Sequence, residues 1–128
     1  MPLVRIALRA GMSPADQRAI ADRVHQALVE TITIPAADRF QLISEYAADQ
    51  FIYDPSYLNV PRTDQLVILQ ITISVGRTLE QKRALYRRLV ELLSERPGIR
   101  PEDVFVNLVE VAKENWSFGQ GVAQYAPE

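Results

Sequence analysis

The sequence predicts an α+β fold with α/β-like tandem repeats. Two β-α-β units related by a pseudo-two-fold axis form a four-stranded mixed sheet, with two helices on one face. Three observations predict it. The chain matches itself at an offset of 65 positions, each copy reads strand, helix, strand, and the strand-like runs are rich in branched apolar residues. Under that offset Gly11 falls on Gly76, Arg18 on Arg83, Ala19 on Ala84, Leu28 on Leu93, Ile34 on Ile99, Asp38 on Asp103 and Phe40 on Phe105, without a gap. A repeat reveals architecture before any single element does. The units cover about residues 2–45 and 67–110 of a single domain, 1–128, a length that suits one hydrophobic core.

The elements follow in order. Residues 3–8 form a short apolar run, ended by Gly11. Ser13-Pro14-Ala15-Asp16 supplies a helix cap, a proline at the first helical position and an acid in the first turn. Ile20, Val24, Ala27 and Leu28 then recur at i, i+4, i+7 and i+8, the spacing of one helical face. Ile34-Pro35 closes the connection, and residues 39–43 read as the second strand. Residues 46–65 have no helical period and carry three tyrosines, and a loop of that length is commonly functional or mobile. The second copy begins with a branched strand at residues 66–73. Thr78-Leu79-Glu80-Gln81 has the form of a capping box, and Leu85, Leu89, Leu92 and Leu93 repeat the apolar face. Pro97-Gly98 stops that helix, residues 104–109 form the last strand, and a tail with Trp116 and Phe118 among turn residues follows.

Strands separated by one helix pair in parallel through a right-handed crossover. Both helices then lie on one face of the sheet. The strands look apolar on both sides, so the other face calls for cover, which a symmetric oligomer would provide.

Composition narrows the function. Apolar residues are 48% and charged residues 23%, with a net charge of −2 and no basic stripe, which argues against nucleic acid as a partner. With no cysteine and one histidine, His25, thiolate catalysis and multi-histidine metal sites are excluded. No run reaches membrane-spanning length and no secretory leader is legible, so the expected setting is the cytoplasm, away from membranes.

The chain opens Met1-Pro2-Leu3-Val4. Proline suits the first residue of a strand, since it has no N–H to donate. Loss of Met1 would also leave Pro2 with a free secondary amine. In a parallel pair the strand starts share one edge, which places Pro2 beside Asp38. An antiparallel third strand brings its end, Ser74-Val75-Gly76-Arg77, to the same place. An amine, a carboxylate and a guanidinium together can move a proton, orient a carbonyl and hold a carboxylate substrate. Each also has a structural reading: Pro2 as a strand start, Asp38 as a turn acid like Asp103, and Arg77 as a solvated loop residue. Trp116 and Phe118 read as core or interface residues as readily as substrate contacts. His25, at the boundary of its helix face, receives no role.

These stretches resemble the tautomerase superfamily, and within it the malonate semialdehyde decarboxylase-like branch. The resemblance is carried by Pro2-Leu3-Val4-Arg5-Ile6, by Pro35-Ala36-Ala37-Asp38-Arg39-Phe40-Gln41 and by Gly76-Arg77-Thr78. Asp103-Val104-Phe105-Val106, Asn115-Trp116-Ser117-Phe118-Gly119 and Gln124-Tyr125 complete it. It implies a tautomerase-like fold, a homotrimer and a cofactor-independent enzyme, either a tautomerase (an isomerase) or a decarboxylase-like lyase, acting on a small 2-oxo or 3-oxo carboxylic acid. It also implies Pro2 as acid or base, Asp38 as its partner or water-activating group, Arg77 as carboxylate binder with Ser74 beside it, and Trp116 and Phe118 as pocket walls. The decarboxylase is expected to carry two arginines near this strand end, whereas here Arg77 stands alone. Keto–enol tautomerisation, decarboxylation and hydration therefore stay open. An apolar pocket with Arg77 close lowers the amine's pKa and yields a base; Asp38 close raises it and yields a cationic acid. The competing reading is a non-catalytic binding or regulatory domain built from the same unit.

Overall fold

The computed structural model describes residues 1–127. Its elements run β1 (Leu3–Arg9), α1 (Pro14–Ile32), β2 (Phe40–Tyr46), β3 (Val67–Ser74), α2 (Leu79–Glu95) and β4 (Val104–Val111). The four strands form one sheet in the order β2-β1-β3-β4. β1 pairs parallel with β2 and antiparallel with β3, and β3 pairs parallel with β4, so the two repeat units meet along the β1–β3 ladder.

Both helices start where local chemistry starts them. The Ser13 side chain accepts from the Asp16 N–H, with Pro14 at the first helical position. Thr78 and Gln81 close a full capping box, which satisfies N–H groups the first turn leaves orphaned. The helices pack on one face of the sheet. Ile20, Val24, Ala27 and Leu28 of α1, with Leu85, Leu89, Leu92 and Leu93 of α2, are buried against Val4, Ile6, Leu8, Val67, Leu69, Ile71 and Ile73. The helices also meet side by side through ion pairs of Arg88 with Glu30 and of Arg23 with Glu95.

The strands are longer than the sequence pattern predicts. β2 continues through the polar Ser44-Glu45 to Tyr46, because the ladder with β1 runs on to Arg9 opposite Tyr46. β4 continues to Val111 opposite Ser74 for the same reason. Pro2 lies one residue ahead of β1 and is buried. Long-range pairing, which local pattern does not encode, sets these ends.

The far face of the sheet carries no helix. Phe40, Leu42, Tyr46, Phe105 and Val109 stand exposed on it, around Arg5 and Gln70. Exposed apolar side chains gathered on one sheet face are a common feature of interaction surfaces. Among the described residues no helix is long and apolar enough to cross a membrane.

Asp103, at the foot of β4, is fully buried. Its carboxylate accepts from the Thr63 N–H at 2.7 Å and the Thr63 hydroxyl at 2.6 Å, which ties the long 46–65 connection to the second unit. Thr63→Val removes the hydroxyl donor and should cost about 1.5–3 kcal/mol, the range for a hydrogen bond to a charged group. Urea unfolding of the variant measures it, and an unchanged midpoint would remove this contact from the fold's supports.

Candidate active site

The registers bring three chain segments to one edge. Leu3 stands opposite Phe40 on one side and Thr72 on the other. The residues just before β1 therefore lie between the turn that precedes β2 and the end of β3. The chain-terminal amine, here that of Met1, approaches the Asp38 carboxylate at 3.7 Å, an ion contact rather than a hydrogen bond. Asp38 ends a tight turn in which its N–H donates to the Pro35 carbonyl at 3.0 Å. His25 Nε2 lies 2.8 Å from the Ala36 carbonyl oxygen. A carbonyl can only accept, so that nitrogen carries the proton, and α1 braces the turn that presents Asp38.

Arg77 enters from the other side. Gly76, at a φ of 127°, lets the chain turn away from β3 in a conformation that side chains disfavour. The guanidinium rests against the Ser74 carbonyl at 3.3 Å and the Ile32 carbonyl at 3.4 Å, at the C-terminal end of α1. Both contacts are long. Among the described residues no carboxylate pairs with Arg77, so its charge is open to an anion.

Amine and acid oppose each other electrostatically. Burial lowers the pKa of the Met1 amine below the ordinary 8.0; Asp38 pulls it back up and Arg77 pushes it further down. Burial raises Asp38 above the usual carboxylate value, and the facing amine works against that rise. Asp38 Oδ2 is buried and has no hydrogen-bond partner. A buried polar atom without a partner costs about 1–3 kcal/mol, and such atoms call for an explanation.

The tail after β4 folds over this edge. The Trp116 indole N–H donates to the Ser74 hydroxyl at 3.0 Å. Trp116 and Phe118 stack at 5.5 Å, and Phe118 also approaches Phe40 at 6.3 Å. A cleft of about 480 Å³ opens here, lined by Met1, Ile34, Ser74, Arg77, Gln124 and Tyr125, with Lys113 at its rim. The structure thus brings Pro2's end of the chain, Asp38, Ser74 and Arg77 together, while Trp116 and Phe118 stand behind the lining within one chain. Sequence reasoning assigned nothing to Tyr125, Gln124 or Lys113. Gln124-Tyr125 is part of the resemblance, but only the folded tail puts it against a strand edge more than a hundred residues upstream.

The pseudo-two-fold axis generates a second such edge. There Leu66 takes the place of Met1, Met12 that of Arg77, Arg9 that of Ser74 and Asp103 that of Asp38. A cavity of about 530 Å³ lies at that edge, with Leu66, Met12 and Arg9 in its wall. No free amine exists in mid-chain, the guanidinium is replaced by a thioether, and Asp103 spends its carboxylate on Thr63. Arg9 is paired with Asp64, which also accepts from the Tyr53 hydroxyl at 2.7 Å. Amine, carboxylate and guanidinium come together at one edge only.

A family model described as Tautomerase enzyme matches residues 38–119, and a second with the same description matches residues 2–61. Probable tautomerase YusQ of Bacillus subtilis (strain 168) is 44% identical over 124 residues, 97% of this chain and 98% of that protein. The chain belongs to the tautomerase superfamily. Its fold is that of solved tautomerase-superfamily structures. A malonate semialdehyde decarboxylase is 33% identical with a TM-score of 0.90, covering 96% of this chain and 95% of its own. The FG41 malonate semialdehyde decarboxylase inhibited by 3-bromopropiolate is 40% identical with a TM-score of 0.90, covering 96% and 93%. A fused 4-OT, described as a symmetric trimer, is 26% identical with a TM-score of 0.79, covering 98% and 99%.

Amine, Asp38 and Arg77 are electrically joined at this edge of the tautomerase-superfamily fold. Asp38→Asn should lower the pKa of the chain-terminal amine further, since the carboxylate's charge raises it, and Arg77→Ala should raise it. NMR titration of a ¹⁵N-labelled amine measures both. An amine that ignores both substitutions would show that the three groups are not electrically joined.

Proposed function

We propose that this chain, once Met1 is removed, is a tautomerase that uses the Pro2 amine for acid–base chemistry on a small 2-oxo or 3-oxo carboxylic acid, with keto–enol tautomerisation as its reaction. One observation carries the reading: an amine and a guanidinium free of carboxylates line one cleft, and a buried carboxylate with an unpartnered oxygen stands 3.7 Å from that amine. Arg77 holds the substrate carboxylate by charge-assisted hydrogen bonds. Burial and Arg77 lower the pKa of the Met1 amine at this edge, and a Pro2 amine in the same surroundings would be drawn toward the neutral form, which suits a base. The amine takes the enol O–H proton, the C=C electrons shift to make a C–H bond, and the ammonium returns a proton to that carbon. One O–H bond breaks, one C–H bond forms, the oxygen ends as a carbonyl, and Pro2 is regenerated. Asp38 steadies the ammonium while it carries the proton. No cofactor enters this scheme.

A second reading, decarboxylase or hydratase chemistry, is favoured by the two malonate semialdehyde decarboxylase neighbours, one of them described with decarboxylase and hydratase activities. There a cationic Pro2, sustained by Asp38, polarises a 3-oxo group. The carboxylate's C–C bond then breaks, carbon dioxide leaves and the electron pair passes toward the carbonyl. The single Arg77 favours tautomerisation over this route. The open apolar face supports assembly as a homotrimer, in line with the fused 4-OT described as a symmetric trimer. The cytoplasmic setting expected from composition belongs to the same proposal.

Intact mass should show Met1 absent from the active protein. Pro2→Ala should cut kcat on phenylenolpyruvate by at least about 10²-fold, the contribution of a positioned acid–base group. Arg77→Ala should raise KM about 10- to 100-fold, the loss of a hydrogen bond to charge. Incubation with 3-bromopropiolate should add mass to the N-terminal peptide. A folded Pro2→Ala protein with undiminished turnover would favour the non-catalytic binding domain.

A further inference from the structure

Among the groups facing the cleft, one hydroxyl is supported by an unusually long chain of contacts. The Phe118 N–H donates to Gln124 Oε1 at 2.9 Å, and Gln124 Nε2 donates to the Gly119 carbonyl at 3.0 Å, so the tail's turn is closed on itself. The Tyr125 ring meets Phe118 edge-on, with centroids 4.9 Å apart at 65°. Phe118 stacks on Trp116, and Trp116 is pinned to Ser74 at the end of β3. This support ends on a phenol that lines the cleft beside Met1 and Arg77. Burial and the nearby Asp38 charge raise its pKa above 10.0, so it keeps its proton.

The other polar groups at the cleft are held differently: the buried Ser74 hydroxyl accepts from Trp116 and keeps its own O–H to donate, the Gln124 amide is used at both ends by the turn, and Lys113 is an exposed ammonium on a flexible stem. Among the described residues no hydrogen bond engages the Tyr125 hydroxyl.

We propose that Tyr125 is a further catalytic residue, whose hydroxyl donates a hydrogen bond to the carbonyl oxygen of an oxo acid held through its carboxylate by Arg77. The proposal rests on the function proposed above and deepens it. Negative charge builds on that oxygen as the enol loses its O–H proton, and a prepositioned donor aimed at developing charge lowers the barrier. The phenol transfers no proton, and the proton balance stays with Pro2. The division of labour follows from charge: a guanidinium for the permanent carboxylate, and a neutral donor for the partial charge that appears only in the transition state. An interaction made only there raises kcat rather than lowering KM.

Tyr125→Phe tests this, because it keeps the ring packing and removes only the hydroxyl. On phenylenolpyruvate we expect kcat to fall about 10- to 100-fold with KM within about two-fold, less than a fully enclosed oxyanion donor because the site is open to water. The thermal midpoint should not move. 3-Fluorotyrosine at position 125, a stronger donor of nearly the same shape, should restore turnover. A Phe variant with wild-type kcat, or one whose loss lies wholly in KM, overturns the role of Tyr125 and leaves the proposed function standing. A Met1-free wild type that turns over no enol overturns both.

Discussion

The antiparallel ladder between β1 and β3 is the constraint from which the site follows. With Leu3 opposite Thr72, the beginning of the chain is laid against the end of a strand some seventy residues away. Slippage by one residue would turn Val4, Ile6 and Leu8 out of the core and onto the open face. The buried residues that hold the register for the sake of the core therefore also hold the amine within reach of Asp38 and Arg77. Positioning at the edge is a by-product of packing in the middle.

The two repeat units show how one scaffold position takes two uses. Asp38 and Asp103 are equivalent, both are buried, and both sit just ahead of a strand. Asp103 accepts from Thr63 with both oxygens, pairs with Arg100 and serves the fold. Asp38 keeps an oxygen without a donor and faces an amine at a distance too long for a hydrogen bond. A carboxylate kept in this condition is destabilising unless something else completes it, and this condition is found at the Asp38 edge and not at the Asp103 edge. His25 fits the same view: it holds the turn rather than the substrate.

The sheet's second face raises the question of assembly. One face is sealed by α1 and α2, while the other presents Phe40, Leu42, Phe105 and Val109 to solvent. At about 25 cal/mol per Å² of apolar area removed from water, even partial cover of such a face contributes several kcal/mol. Arg5 stands in the midst of this surface, a charge that an interface would have to accommodate.

Much of this was legible in the residues alone. The 65-position repeat, the caps at Ser13 and Thr78 and the two apolar helix faces are local patterns, and local patterns survive in sequence because they act through near neighbours. Topology rules then carried Pro2, Asp38 and Arg77 to one edge, since strand direction alone decides which ends meet. The extensions of β2 to Tyr46 and β4 to Val111 were not legible, because ladder partners supply the hydrogen bonds that Ser44 or Glu110 does not advertise. Nor was the place of Tyr125, or the fate of the second edge. Those depend on where an aperiodic tail and a long loop come to rest, and only contacts between residues distant in the chain decide that. The sequence by itself determined the repeated unit and pointed to the candidate groups; tertiary structure decided which acid is satisfied, which is left open, and which side chains close around it.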